Sequence, residues 1–71
     1  MQREFNVIIE RDEDGWLVAR VPEIRGCDTQ ARSLDKLMER IREAIEACLE
    51  AGTAPKRVNQ FVGVQRVSVI S

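Results

Sequence analysis

The stretch that decides the fold is Phe5-Asn6-Val7-Ile8-Ile9-Glu10-Arg11-Asp12-Glu13-Asp14-Gly15-Trp16-Leu17-Val18-Ala19-Arg20-Val21. Its first part, Glu4 to Arg11, alternates with period two, so Phe5, Val7 and Ile9 share one face and Asn6, Ile8 and Glu10 the other. Its last part, Trp16 to Val21, alternates again, with Leu17, Ala19 and Val21 set against Trp16, Val18 and Arg20. Between them, Asp12-Glu13-Asp14-Gly15 has turn chemistry, with Gly15 free to take a positive φ. Two alternating apolar runs joined by four such residues predict an antiparallel hairpin.

Outward from the hairpin, Pro22 has no amide to give a ladder and ends the second strand. Pro22-Glu23-Ile24-Arg25-Gly26 reads as a loop, and Cys27 to Gln30 as a short third strand. Ser33 is a good N-cap, and Leu34, Leu37, Met38, Ile41, Ala44, Ile45 and Cys48 then recur at helical spacing. Asp35, Glu39, Arg42, Glu43, Glu46 and Glu50 occupy the opposite face. Asp35 sits in the first turn, where the helix dipole favours a negative charge. Gly52 is placed to close the helix. A helix over Leu34 to Ala51 would be about 27 Å long, enough to cover a small sheet from edge to edge. Thr53 to Gln60, with Pro55 and the pair Lys56-Arg57, reads as a linker. Phe61 to Ile70 is rich in β-branched residues: Val62 and Val64 are in one phase, Val67 and Val69 in the other, with Gly63 as a possible bulge. It reads as a last strand returning to the sheet. The expected fold is α+β: a small antiparallel sheet of three to four strands, ordered β-β-β-α-β in the chain, with one long helix on one face.

The chain has 71 residues, enough for a single domain. Composition narrows what such a domain does. Eleven basic side chains stand against twelve acidic ones, for a net charge of −1, so no basic excess draws it to nucleic acid. Nine Arg against two Lys are scattered among carboxylates, a pattern suited to protein contacts. There is no His, which removes the commonest general acid–base and the commonest metal ligand. The Glu10, Asp12, Glu13 and Asp14 cluster lacks the later ligands of a calcium loop and reads as a solvated turn. Cys27 and Cys48 match no zinc or redox spacing and read as reduced, partly buried thiols. Ser33, Thr29 and the thiols have no His partner for nucleophilic catalysis. A non-enzymatic protein with no cofactor is expected. The N-terminus leads into no apolar signal core and no apolar run approaches bilayer length, so a cytoplasmic location is expected.

Both hairpin faces are apolar, yet one helix covers one face. Ile8, Trp16 and Val18 would remain wet, which predicts a homodimer or tetramer that buries the second sheet face or an edge strand.

Two strings carry a resemblance to a known family. Val7-Ile8-Ile9-Glu10-Arg11-Asp12-Glu13-Asp14-Gly15-Trp16-Leu17-Val18-Ala19, followed by Val21-Pro22-Glu23-Ile24-Arg25-Gly26-Cys27-Asp28-Thr29-Gln30, resembles the N-terminal domain of HicB-type antitoxins. Ser33-Leu34-Asp35-Lys36-Leu37 and Glu43-Ala44-Ile45 are similar to that family's helix. The resemblance covers about residues 5 to 50. It departs at Ala31 and Arg32, where typical members have Gly and Asp, and at Leu37, where they have Ala. It implies a partial ribonuclease-H-like fold without that enzyme's metal-binding carboxylates, self-association, and inhibition of a small HicA-type RNase toxin. Antitoxins of this kind also carry a C-terminal DNA-binding domain. Residues 1–71 read as one HicB-like domain without it, so no direct DNA binding is expected. The expected partner-binding residues are Trp16, Arg20, Glu23 and Arg25, and the expected oligomer interface is Ile8, Trp16 and Val18. The competing expectation is an orphan oligomer that binds RNA or a small ligand without a toxin partner.

Overall fold

The computed structural model describes residues 3–55 and 60–70. Lys56-Arg57, in the expected linker, lies outside the described residues. Three strands, β1 (Ile8–Arg11), β2 (Leu17–Arg20) and β3 (Asp28–Ala31), form one antiparallel sheet in chain order, and α1 (Leu34–Glu50) follows. The expected α+β architecture of a three-stranded sheet with one long helix is present.

The hairpin turn is built by its own residues. The Asp12 carboxylate accepts from the Asp14 and Trp16 amides, each at 2.9 Å, and the Asp12 carbonyl accepts from Gly15 N–H at 3.1 Å. Gly15 sits at φ +87°, where a side chain is strained. This turn sets the β1–β2 register, with Ile9 opposite Ala19 and Glu10 opposite Val18. Val18 in turn faces Gln30, and Ala19 faces Thr29.

Directly paired residues share a face, so the register sorts the sheet. Leu17, Ala19, Val21, Cys27 and Ala31 point to the helix, and the core is Ala19, Val21, Ile24, Cys27, Ala31, Leu37 and Ile41. Small alanines, Ala19 within β2 and Ala31 at the end of β3, let the helix approach closely, and Leu37 fills the space with no exposed surface. The helix starts as expected: Ser33 Oγ accepts from Lys36 N–H at 3.3 Å. It ends at Gly52 (φ +87°), with Gly52 N–H donating to Leu49 and Thr53 N–H to Cys48. Of the expected stripe, Leu37 and Ile41 are buried, whereas Leu34 and Met38 are exposed.

Two expectations are corrected. First, α1 does not cover the sheet from edge to edge: it packs on β3 and β2 and not on β1. Only Arg32 and Ser33 separate β3 from α1, which places the helix over β3. A helix about 10–12 Å wide then spans about two strands spaced about 4.8 Å apart. The third is out of reach. Second, residues 60–70 join no ladder within this chain. The expected returning strand lies off the body, with Val62, Val64, Val67, Val69 and Ile70 exposed.

Candidate functional site: the outer sheet face

The face opposite the helix carries Ile8 and Glu10 from β1, Val18 and Arg20 from β2, Asp28 and Gln30 from β3, and Trp16 just before β2. In register, Arg20 lies between Ile8 and Asp28. No helix among the described residues covers this face. Ile8, Trp16 and Val18 are half-buried by their neighbours alone. The sheet therefore displays a short apolar ridge edged by charged groups of both signs.

Trp16 is fixed by Arg32, which follows β3. The Arg32 guanidinium stacks over the indole with Cζ 3.9 Å from the ring centroid. Its Nη1 also donates to the Asp14 carbonyl at 2.9 Å. Arg32 thus ties the end of β3 to the hairpin turn and holds the indole in one orientation. A stacked cation at an exposed aromatic stabilises by about 0.5–1 kcal/mol. More useful for recognition is that ordering this tryptophan costs little when a partner binds. Residue types alone did not single out Arg32. Its contact follows from the β2–β3 register, which puts it beside Trp16.

The expected partner residues separate in space. Trp16 and Arg20 lie on the outer face. Arg25 is exposed in the Pro22–Gly26 loop. Glu23 is half-buried, with its Oε2 accepting from the Asn6 amide at 3.1 Å. That bond ties the loop to the strand leading into β1, so Glu23 has a structural task. Its Oε1 is buried without a partner among the described residues. The expected oligomer residues Ile8, Trp16 and Val18 do fall together, on the same face as Arg20.

The acidic turn has a structural role too, since Asp12 spends a carboxylate oxygen on two turn amides. Among the described residues, no three His, Cys, Asp or Glu side chains cluster to hold a metal ion. Nor is any described helix long and apolar enough to cross a membrane.

Cys27 is buried against the half-buried Cys48, and both thiols are free. Burial first, then the neighbouring Cys48 thiol and the Asp28 charge, push the Cys27 thiol up to about 11 from an ordinary value of 9.0. At pH 8 this cuts its thiolate fraction about 100-fold, so alkylation of the folded protein should be confined to Cys48. The folded protein holds the Cys27 proton more tightly than the unfolded chain does. Folding stability is therefore undiminished by this group below about pH 9 and falls as pH rises through about 11, because the folded protein disfavours the thiolate. Urea melts at pH 8 and pH 11 should show this fall in the native protein, and a Cys27→Ala variant should lack it.

No family model matches the chain. Individual relatives do. A UPF0150 protein of Archaeoglobus fulgidus is 53% identical over 68 residues, spanning 93% of this chain and 94% of the relative. A UPF0150 protein of Synechocystis sp. is 44% identical over 68 residues, spanning 96% and 97%. A third, from Thermoplasma acidophilum, is 42% identical over 48 residues, spanning 68% and 70%.

Proposed function

This chain belongs to the UPF0150 family, and we propose that it is a non-enzymatic, antitoxin-type binding module that masks a small RNase of the HicA type. The observation that carries this reading is the uncovered outer face, where Trp16, held under Arg32 and next to Val18, shares one surface with Ile8 and Arg20. Tryptophan and arginine are the residue types that most often dominate binding energy at protein interfaces. A pre-stacked pair of them on a rigid sheet suits occlusion of a partner's surface. The HicB-like strings at Val7–Gln30 and Ser33–Ile45 supply the identity of that partner. Masking is steric: the sheet lies over the RNase's RNA-binding surface, and no residue of this chain enters a reaction.

The test is to look for a HicA-type RNase gene beside this chain's own, whose absence would count against the reading, and where it is present to measure cleavage of labelled RNA by the purified RNase as this chain is added. Inhibition should be complete near equimolar ratio. Trp16→Ala should raise the concentration for half-inhibition at least 30-fold, while its melting temperature falls only a few degrees. Undiminished cleavage at a tenfold excess of the native chain would exclude the reading. RNA bound by this chain alone would favour an orphan RNA-binding protein.

A further inference from the structure

The groove between α1 and the residues leading into β1, and the segment Phe61–Ile70, are two unsatisfied surfaces of one chain. The groove, about 710 Å³ in volume, opens where the helix fails to reach the third strand. Its apolar lining is Phe5 and Val7 on one side and Met38, Ile41, Ile45 and Leu49 on the other. The segment has the opposite property, being apolar with nothing over it: Val64 is 91% exposed, Val69 80% and Ile70 105%. Only its root, Gln60 to Gly63, lies beside its own domain, around a shallow hollow with Asn6, Pro22 and Glu23. The molecule is correspondingly extended, with a radius of gyration of 14.1 Å against about 11 Å for a compact chain of this length.

We propose that two copies of this chain exchange these segments, each copy's Phe61–Ile70 adding as a fourth strand along the other's β1 and filling the other's groove. The two sheet edges differ in a way that selects β1. On β3, the Gln30 carbonyl is taken by Arg40 of α1, whose Nη1 donates to it at 2.8 Å, and a charged side chain of this kind protects an edge. Among the described residues no side chain bonds to the backbone of β1. The pattern of the segment fits as well. Val62 and Val64 are out of phase with Val67 and Val69, so one extra residue at Gln65-Arg66 brings all four to one face, as a bulge does. That face then meets Phe5, Val7 and Met38. A second copy is the occupant because the segment, beyond its root, stands clear of its own domain, and because exchange is reciprocal. One two-fold dimer covers both segments and both grooves and leaves no open end. It also leaves the Trp16 face free, so the proposal stands or falls separately from RNase inhibition.

The test uses the full chain in two experiments. Sedimentation equilibrium over a dilution series, with hydrogen exchange at each concentration, should show a dimer whose residue 62–69 amides are protected at least 100-fold, with dimer and protection lost together. In a co-refolded 1:1 mixture of 15N-labelled and 13C-labelled chains, contacts from the Val67 and Val69 methyls to Phe5 and Val7 should run between chains. V67D/V69D in the full chain should be a monomer that keeps the far-UV spectrum of the folded domain. If that variant unfolds, the native dilution series and the mixed-label contacts decide alone. A monomer, a dimer with unprotected segments, contacts confined within one chain, or a folded V67D/V69D that remains dimeric would each overturn the proposal.

Discussion

Leu37→Ala is expected to remove a large part of the folding stability of the domain. Leu37 has no exposed surface and packs in the core with Ala19 of β2 and Ala31 of β3. Those neighbours are backbone-anchored methyl groups that cannot swing in to close a hole, so little relaxation is available. Leucine-to-alanine changes at such sites cost about 3–5 kcal/mol, the upper part of their range. A domain of this size has a total stability of about 4–10 kcal/mol. A thermal melt followed by far-UV circular dichroism should show the midpoint falling by 15 °C or more. Leu34→Ala, on an exposed position of the same helix, should move it by only a few degrees.

Ile24→Ala is the second large effect, expected to cost about 2–4 kcal/mol, and it acts through a loop. Ile24 is 2% exposed, and its backbone closes the Pro22–Gly26 turn in both directions. Its N–H donates to the Val21 carbonyl at 3.2 Å, and its carbonyl accepts from Cys27 N–H at 3.3 Å. Without the isoleucine, the loop loses its hold on the core and Cys27 loses a covering neighbour. The variant should therefore become reactive to a thiol reagent at Cys27, at pH 8, under conditions where it is still folded. At a temperature where both variants remain folded, Leu37→Ala should leave Cys27 protected, because its loop keeps Ile24. Mass spectrometry of alkylated peptides separates the two.

These effects show where sequence and structure part company. The hairpin and helix were legible because each repeats a period: the alternation of Phe5–Arg11 and Trp16–Val21, and the helical spacing from Leu34 to Cys48. Asp12 and Ser33 mark the boundaries by local bonds that depend on few other residues. Ile24 was not legible as core, since one apolar residue between Pro22 and Gly26 belongs to no period. Its burial comes from a turn that folds back under the helix. Glu23 looked like a surface contact for the same reason, and its bond to Asn6 depends on how that turn lies against the strand before β1. The Trp16–Arg32 stack needed the register of two strand pairs. For Phe61–Ile70, alternation indicates a segment able to pair but says nothing of which edge receives it. The helix covers only two of the three strands because a two-residue connection holds it over β3, a consequence of geometry that no single residue announces.

The outer face is the working surface in this account, and Trp16, the only tryptophan in the chain, reports on it directly. The decisive measurement is acrylamide quenching of Trp16 fluorescence, with and without an equimolar HicA-type RNase whose own tryptophans have been replaced. Masking by the outer face predicts a fall of at least threefold in the quenching constant, reaching its end point at the ratio that abolishes RNA cleavage. An unchanged quenching constant alongside full inhibition would place the partner elsewhere on the molecule and contradict the account.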